Sequence, residues 1–253
     1  MTAIIYNISR DSFNIQSNFQ KFKALLDQYD VFINIQQGTD IEIPQYLKKE
    51  SYLYTKDIFS KFNFNHNLNI SHYFDVAWYQ FYEKNPAYDY YWIIEDDVSF
   101  SGSWSTFFDF YLDKDEDLIA SHIFTYPYNN TLRNYIKKCN IYYNCEIYHG
   151  ADITWAFFQI ARFSNRALKT IIDARLCSPY GHAEIFIPTL LKENNFSIRD
   201  IGCQTKYAKG DNFITPTSNL FRDKPGSTLC WSKYSWSQKK MTIPNKVYHP
   251  CKH

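Results

Sequence analysis

Residues Tyr90-Tyr91-Trp92-Ile93-Ile94 form a run with no polar face, and it stops at three consecutive carboxylates, Glu95, Asp96 and Asp97. A strand at a sheet surface alternates apolar and polar residues, whereas a strand covered on both sides does not. The run therefore predicts a central parallel strand, and with it an α/β architecture. The acidic triplet then sits at the carboxyl end of that strand, the edge at which open α/β sheets bind ligands. Adjacent carboxylates raise the cost of keeping one another ionised, so the triplet needs a cation, a basic partner or open water.

The flanking sequence agrees with such a sheet. Ala3 to Tyr6 reads as a first strand ending in the polar cluster Asn7 to Ser12, and Val31 to Ile35 as a second. Between them Phe19, Phe22, Leu25 and Leu26 recur at helical spacing. Over Ser71 to Glu83, the residues Tyr73, Phe74, Ala77, Trp78 and Phe81 stripe one helix face, with Ser71 placed to cap it. Downstream of the triplet, Trp104, Phe107, Phe108 and Tyr111 predict a short helix, followed by an acidic turn over Asp113 to Asp117 and a strand over Leu118 to Ala120. Ile160 to Asp173 and Glu184 to Lys192 read as helices. Thr205 to Pro244 is polar, with Gly210, Pro216, Pro225 and Gly226, and reads as ordered loops.

Composition narrows the function classes. Lys and Arg number 27 against 26 Asp and Glu, a formal charge of +1, which removes the bulk electrostatic case for a nucleic-acid partner. Six cysteines, Cys139, Cys145, Cys177, Cys203, Cys230 and Cys251, contain no Cys-x-x-Cys pair and so do not suggest a structural zinc site; a Cys139–Cys145 bridge stays open. The opening residues lack a basic segment followed by a long apolar run, and no stretch of about 18 apolar residues occurs. The chain as given is expected to be cytoplasmic without a transmembrane segment, leaving peripheral membrane association open. No Gly-x-Gly-x-x-Gly, Walker, Gly-x-Ser-x-Gly or His-Glu-x-x-His sequence occurs. A chain of 253 residues is long enough for one full catalytic domain.

A compact set of oxygen ligands suits Mg²⁺ or Mn²⁺, ions that take one or two protein carboxylates and fill the rest of their shell with water and phosphate oxygens. Tyr-Trp-Ile-Ile-Glu-Asp-Asp-Val with the following Ser-Gly-Ser-Trp resembles the Asp-x-Asp region of GT-A fold glycosyltransferases, in its Glu-Asp-Asp form. Ile153 to Arg162 resembles their acceptor-side strand leading into a helix. Tyr180-Gly181-His182-Ala183-Glu184-Ile185-Phe186-Ile187-Pro188-Thr189-Leu190-Leu191 is similar to the Asp-Glu segment of mucin-type branching N-acetylglucosaminyltransferases. Those branching enzymes work without a metal and lack the triplet, so the chain combines features of two subgroups.

The resemblance implies a single GT-A (Rossmann-like) domain with a mixed central sheet flanked by helices. Residues to about 100 would bind the nucleotide sugar, and the remainder would bind the acceptor, with a C-terminal tail closing the site. It implies transfer of a hexosyl or N-acetylhexosaminyl group from a nucleotide-diphosphate sugar, UDP-linked, to a hydroxyl of a glycan or glycoconjugate. Asp97 would ligate Mn²⁺ or Mg²⁺, with His249 as a further ligand from the C-terminal segment. Asp96 would meet the donor ribose or reach the metal through water, and Glu95 would support the site or touch the sugar. Arg10 and Lys246 would neutralise the diphosphate. Glu184 would be the general base of an inverting reaction, with Asp152 as the competing base. A metal-dependent phosphotransferase or nuclease, and a non-catalytic carbohydrate-binding module, are the rival readings.

Overall fold

The computed structural model describes residues 1–8, 19, 22–36, 45, 51–54, 61, 74–126, 153–177, 182–202, 209–211, 213, 228–229, 237 and 241–251. The order is β1 (Thr2–Ile8), β2 (Asp30–Gln36), β3 (Ser51–Tyr54), α1 (Val76–Lys84), β4 (Tyr90–Glu95), β5 (Ser99–Phe100), α2 (Trp104–Asp109), β6 (Leu118–Tyr126), β7 (Ile153–Ser164), α3 (Asn165–Cys177), α4 (Ala183–Glu193), β8 (Ile198–Asp200), β9 (Lys209–Gly210) and β10 (Val247–Tyr248).

Eight strands form one sheet in the order β3-β2-β1-β4-β7-β6-β8-β9, and β10 pairs with β5 in a separate ribbon. The left half is parallel, with β1 between β2 and β4, and β7 runs antiparallel to both β4 and β6. The fold is thus the Rossmann-like mixed sheet flanked by helices that the GT-A expectation describes. The run at 90–94 is the centre of that sheet, as its double-sided burial requires. Tyr91 and Ile93 pack on the face covered by α1, α3 and α4, while Trp92 and Ile94 pack on the other, under Phe107, Phe108 and Tyr111. Each of these four strand side chains is 1% exposed or less.

Two sequence expectations need correction. The helix expected over Ile160 to Asp173 begins at Asn165, because the strand continues to Ser164 and pairs Phe163 with Tyr91. Ile160, Phe163, Ala167 and Ile171 are all buried, and their spacing of three or four carries one apolar rhythm across a strand-to-helix junction. Ser164 marks the true boundary, its hydroxyl accepting the Ala167 N–H at 3.2 Å as a helix start requires. Likewise α1 starts at Val76 and not near Ser71, which lies outside the described residues. Asp75 occupies the cap position without capping, since its carboxylate is engaged by Arg175 from α3 at 3.0 Å and by the Tyr79 hydroxyl.

Candidate functional site

The carboxyl edge of β4 is built by hydrogen bonds continuing past the strand. The Asp96 N–H donates to the Asn7 carbonyl of β1 at 3.1 Å, and the Tyr6 hydroxyl donates to the Asp96 carbonyl at 2.9 Å. The Val98 N–H turns back to the Glu95 carbonyl at 3.1 Å. In that tight turn Asp96 is buried, while Glu95 and Asp97 remain partly exposed. The three carboxylates therefore do not share one environment.

The C-terminal segment crosses this turn. β10 pairs antiparallel with β5, Val247 opposite Phe100 and Tyr248 opposite Ser99, and the Cys251 N–H donates to the Asp97 carbonyl at 2.7 Å. His249 is thereby delivered to the acidic edge. Its Nε2 lies 3.1 Å from Asp97 Oδ1 and 3.5 Å from Glu95 Oε2. One ligand atom each from Glu95, Asp97 and His249 fall within 4.8 Å of one another.

Asp97 Oδ1 is buried, with His249 Nε2 close to it among the described residues. Two carboxylates facing one imidazole leave an excess of negative charge that a cation would neutralise. Two carboxylates and an imidazole form a donor set that hard divalent cations of the Mg²⁺ and Mn²⁺ kind accept, with room in their shell for water or phosphate oxygens. Burial of His249 opposes its charging, but the close approach and negative charge of Asp97 and Glu95 outweigh this and push its pKa from 6.5 up to about 10. The edge therefore attracts positive charge.

Glu184 comes to the same place from the other side of the sheet. It is in the first turn of α4, where the His182 carbonyl accepts from Ile185 and Phe186 N–H at 3.0 and 2.8 Å, and His182 Nδ1 accepts the Glu184 N–H at 3.2 Å. Pro188 follows four residues on and has no N–H to offer the Glu184 carbonyl, so this cap holds the turn. Glu184 as a residue is 6% exposed. Burial first, and then the charge of Glu95, push its pKa from 4.5 up to about 8; a hydrogen bond from Gln159 and the charge of His249 pull the other way.

Gln159 was not singled out from sequence, although a signal exists: it is the polar residue in the otherwise apolar run Trp155-Ala156-Phe157-Phe158-Gln159-Ile160-Ala161. With Ile160 opposite Ile94, Gln159 stands beside the end of β4, and it bonds Glu184. Trp155 is 7% exposed and lies against the His182 ring at 6.1 Å and 27°. That contact makes it packing for the α4 start. Lys246 lies in the crossing segment, three residues before His249, with its backbone bonded to Ser101. Asp96 stands apart from the cluster. Arg10 and Asp152 lie outside the described residues, as do Cys139, Cys145, Cys203 and Cys230. Cys177 and Cys251 form no disulfide among the described residues. No helix among the described residues is long and apolar enough to cross a membrane.

No family model matches the chain, and no curated protein does. Solved structures with a similar chain path include a galactosyltransferase, LgtC, in complex with donor and acceptor sugar analogues, at 9% identity and a TM-score of 0.43, covering 100% of this chain and 87% of that one. A second is a putative glucose-1-phosphate thymidylyltransferase from Bacillus anthracis in complex with a sucrose, at 10% identity and 0.42, covering 79% and 85%. A third is the apo bifunctional glycosyltransferase WbbM, at 11% and 0.36, covering 76% of this chain and 36% of that one. At such low identity these likenesses concern chain path, and function has to be argued from the site.

Proposed function

We propose that this chain is a metal-dependent glycosyltransferase that moves a sugar from a nucleotide-diphosphate donor, UDP-linked, to a hydroxyl of a glycan or glycoconjugate. The observation carrying this reading is the meeting of Glu95, Asp97 and His249 at the carboxyl edge of the sheet, with the buried carboxyl of Glu184 on the same edge. Glu95, Asp97 and His249 would hold Mn²⁺ or Mg²⁺. Such an ion stabilises the charge that develops on the departing diphosphate.

Glu184 is the general base of the proposal. It takes a proton from the acceptor hydroxyl only when ionised, and positive charge placed beside it lowers its pKa toward the range in which a base works. His249 already contributes in that direction. Gln159 holds the carboxyl, and His182 fixes the turn that carries it. Inversion at the anomeric carbon is the outcome of direct attack with one base. Asp152 is the alternative base, and Arg10 and Lys246 are the proposed diphosphate contacts.

Calorimetry tests the metal part. UDP binding that requires Mn²⁺, and that weakens at least about 100-fold in Asp97→Ala, is the expected result, since loss of a ligand exceeds the roughly 10- to 100-fold cost of losing an outer-sphere partner. Equal UDP affinity with and without Mn²⁺ overturns it.

A further inference from the structure

The metal reading above rests on His249 arriving from a segment distant in sequence, and the contacts that deliver it are concentrated on two small residues after β5. The Ser101 N–H donates to the Lys246 carbonyl at 3.0 Å. Its hydroxyl accepts the Lys246 N–H at 2.9 Å and donates to the Ile243 carbonyl at 2.7 Å, with the Lys246 carbonyl a second acceptor at 3.2 Å. One hydroxyl thus satisfies polar backbone on both sides of the bend at Asn245. Asn245 itself is at φ 54°, a left-handed conformation that asparagine tolerates better than most residues.

Gly102 makes room for that bend. A Cβ there would lie 2.4 Å from Asn245 Oδ1 and 2.7 Å from the Phe100 ring, closer than atoms can pack. Phe100 cannot easily yield, because it is 8% exposed and packed against Trp104, Phe107 and Phe213. Beyond the bend, the Tyr248 hydroxyl accepts the Ile243 N–H at 3.0 Å, and the His249 N–H donates to the Thr228 carbonyl at 2.9 Å.

We infer that Ser101 and Gly102 are positioning residues for the cation site: they clasp residues 243–248 against β5 and so set His249 over Asp97 and Glu95. Neither touches the ligand atoms. Their effect passes through His249, and by linkage a cation bound between the two segments strengthens the clasp by the same factor that the clasp strengthens cation binding.

The test is Mn²⁺ titration of the full chain without nucleotide, followed calorimetrically, with thermal melting to check folding. Ser101→Ala should weaken Mn²⁺ binding roughly 10- to 100-fold, the range for partners that orient a ligand from outside the metal's own shell. Ser101→Thr, which keeps the hydroxyl, should restore it, and Gly102→Val should weaken it at least as much as Ser101→Ala. A merely structural role is separated by repeating Ser101→Ala in His249→Ala, where it should have no further effect on Mn²⁺ affinity. The clasp is overturned if Ser101→Ala and Gly102→Val bind Mn²⁺ as the parent does, or if Ser101→Ala costs as much without His249 as with it. Absence of Mn²⁺ binding in the parent chain overturns the metal reading itself and the clasp with it, whereas parental binding unchanged in the variants removes the clasp alone.

Discussion

Two of the groups of buried or half-buried ionic side chains on this fold differ in balance. Asp75 and Arg175 are both 0% exposed, are joined at 3.0 Å, and take in the Tyr79 hydroxyl; the Arg175 guanidinium also lies 4.0 Å over the Phe186 ring. One negative and one positive charge meet there with aromatic cover, and the group ties α1, α3 and α4 together. The edge group has Glu95, Asp97 and Glu184 against the single imidazole of His249. A balanced group neutralises itself, whereas one with excess negative charge calls for a further cation. The first reads as architecture and the second as a site.

The contrast can be broken by substitutions that treat the two groups alike. The largest expected effect is on turnover: Glu184→Gln should lower kcat by about 10²- to 10⁴-fold, the contribution of a positioned base, with the chain as stable as before or more so. Near-normal turnover in an assay with a nucleotide sugar would move the base to Asp152 or elsewhere. Next comes stability. Asp75→Ala strands a buried guanidinium and should cost roughly 3–5 kcal/mol in urea unfolding, while Asp97→Ala should cost less, because Asp97 is partly exposed and Glu95 stays beside His249. Equal losses from both substitutions would mean that the edge group is architecture too.

A smaller effect sharpens the comparison with a third kind of group. The His122 Nδ1 is buried in the β6 bulge with no partner among the described residues, and burial lowers its pKa from 6.5 to about 4. The unfolded chain takes up that proton below pH 6.5 and the folded chain does not, so this stability is present above 6.5 and lost as the pH falls toward 4. Asp200, on the neighbouring strand, runs the other way: burial raises its pKa to about 6 against the backbone N–H bonds of Ile123 and Gly202, which lower it. The readout is therefore the difference between His122→Asn and the parent in urea midpoints at pH 7 and pH 5. The variant should lose less on acidification, and parallel losses would show that His122 is not the group responsible.

The sheet was legible because burial on both faces leaves a direct mark in sequence, as at Tyr90 to Ile94. The strand-to-helix junction at Ser164 was not, because buried positions of β7 and α3 share one spacing and only the capping geometry separates them. For the candidate site, Asp97, His249 and Glu184 were nameable as chemistry, but nothing local in the sequence says that residues 97 and 249 meet. The separation of Glu95 and Asp97 from Asp96 follows from the backbone turn at Val98, which alternation along an extended chain anticipates only partly. Gln159 was visible as a polar break in an apolar run, and its meaning needed the register of β7 on β4.

The ribbon of β5 and β10 also has a consequence in time. Ribosomes add roughly 5–20 residues per second. His249 is therefore made about 10 to 30 s after Asp97, when the parallel half of the sheet can already be paired. Through that interval the nascent chain carries its acidic edge without the histidine, and the two carboxylates and the imidazole can meet only once synthesis has passed residue 249.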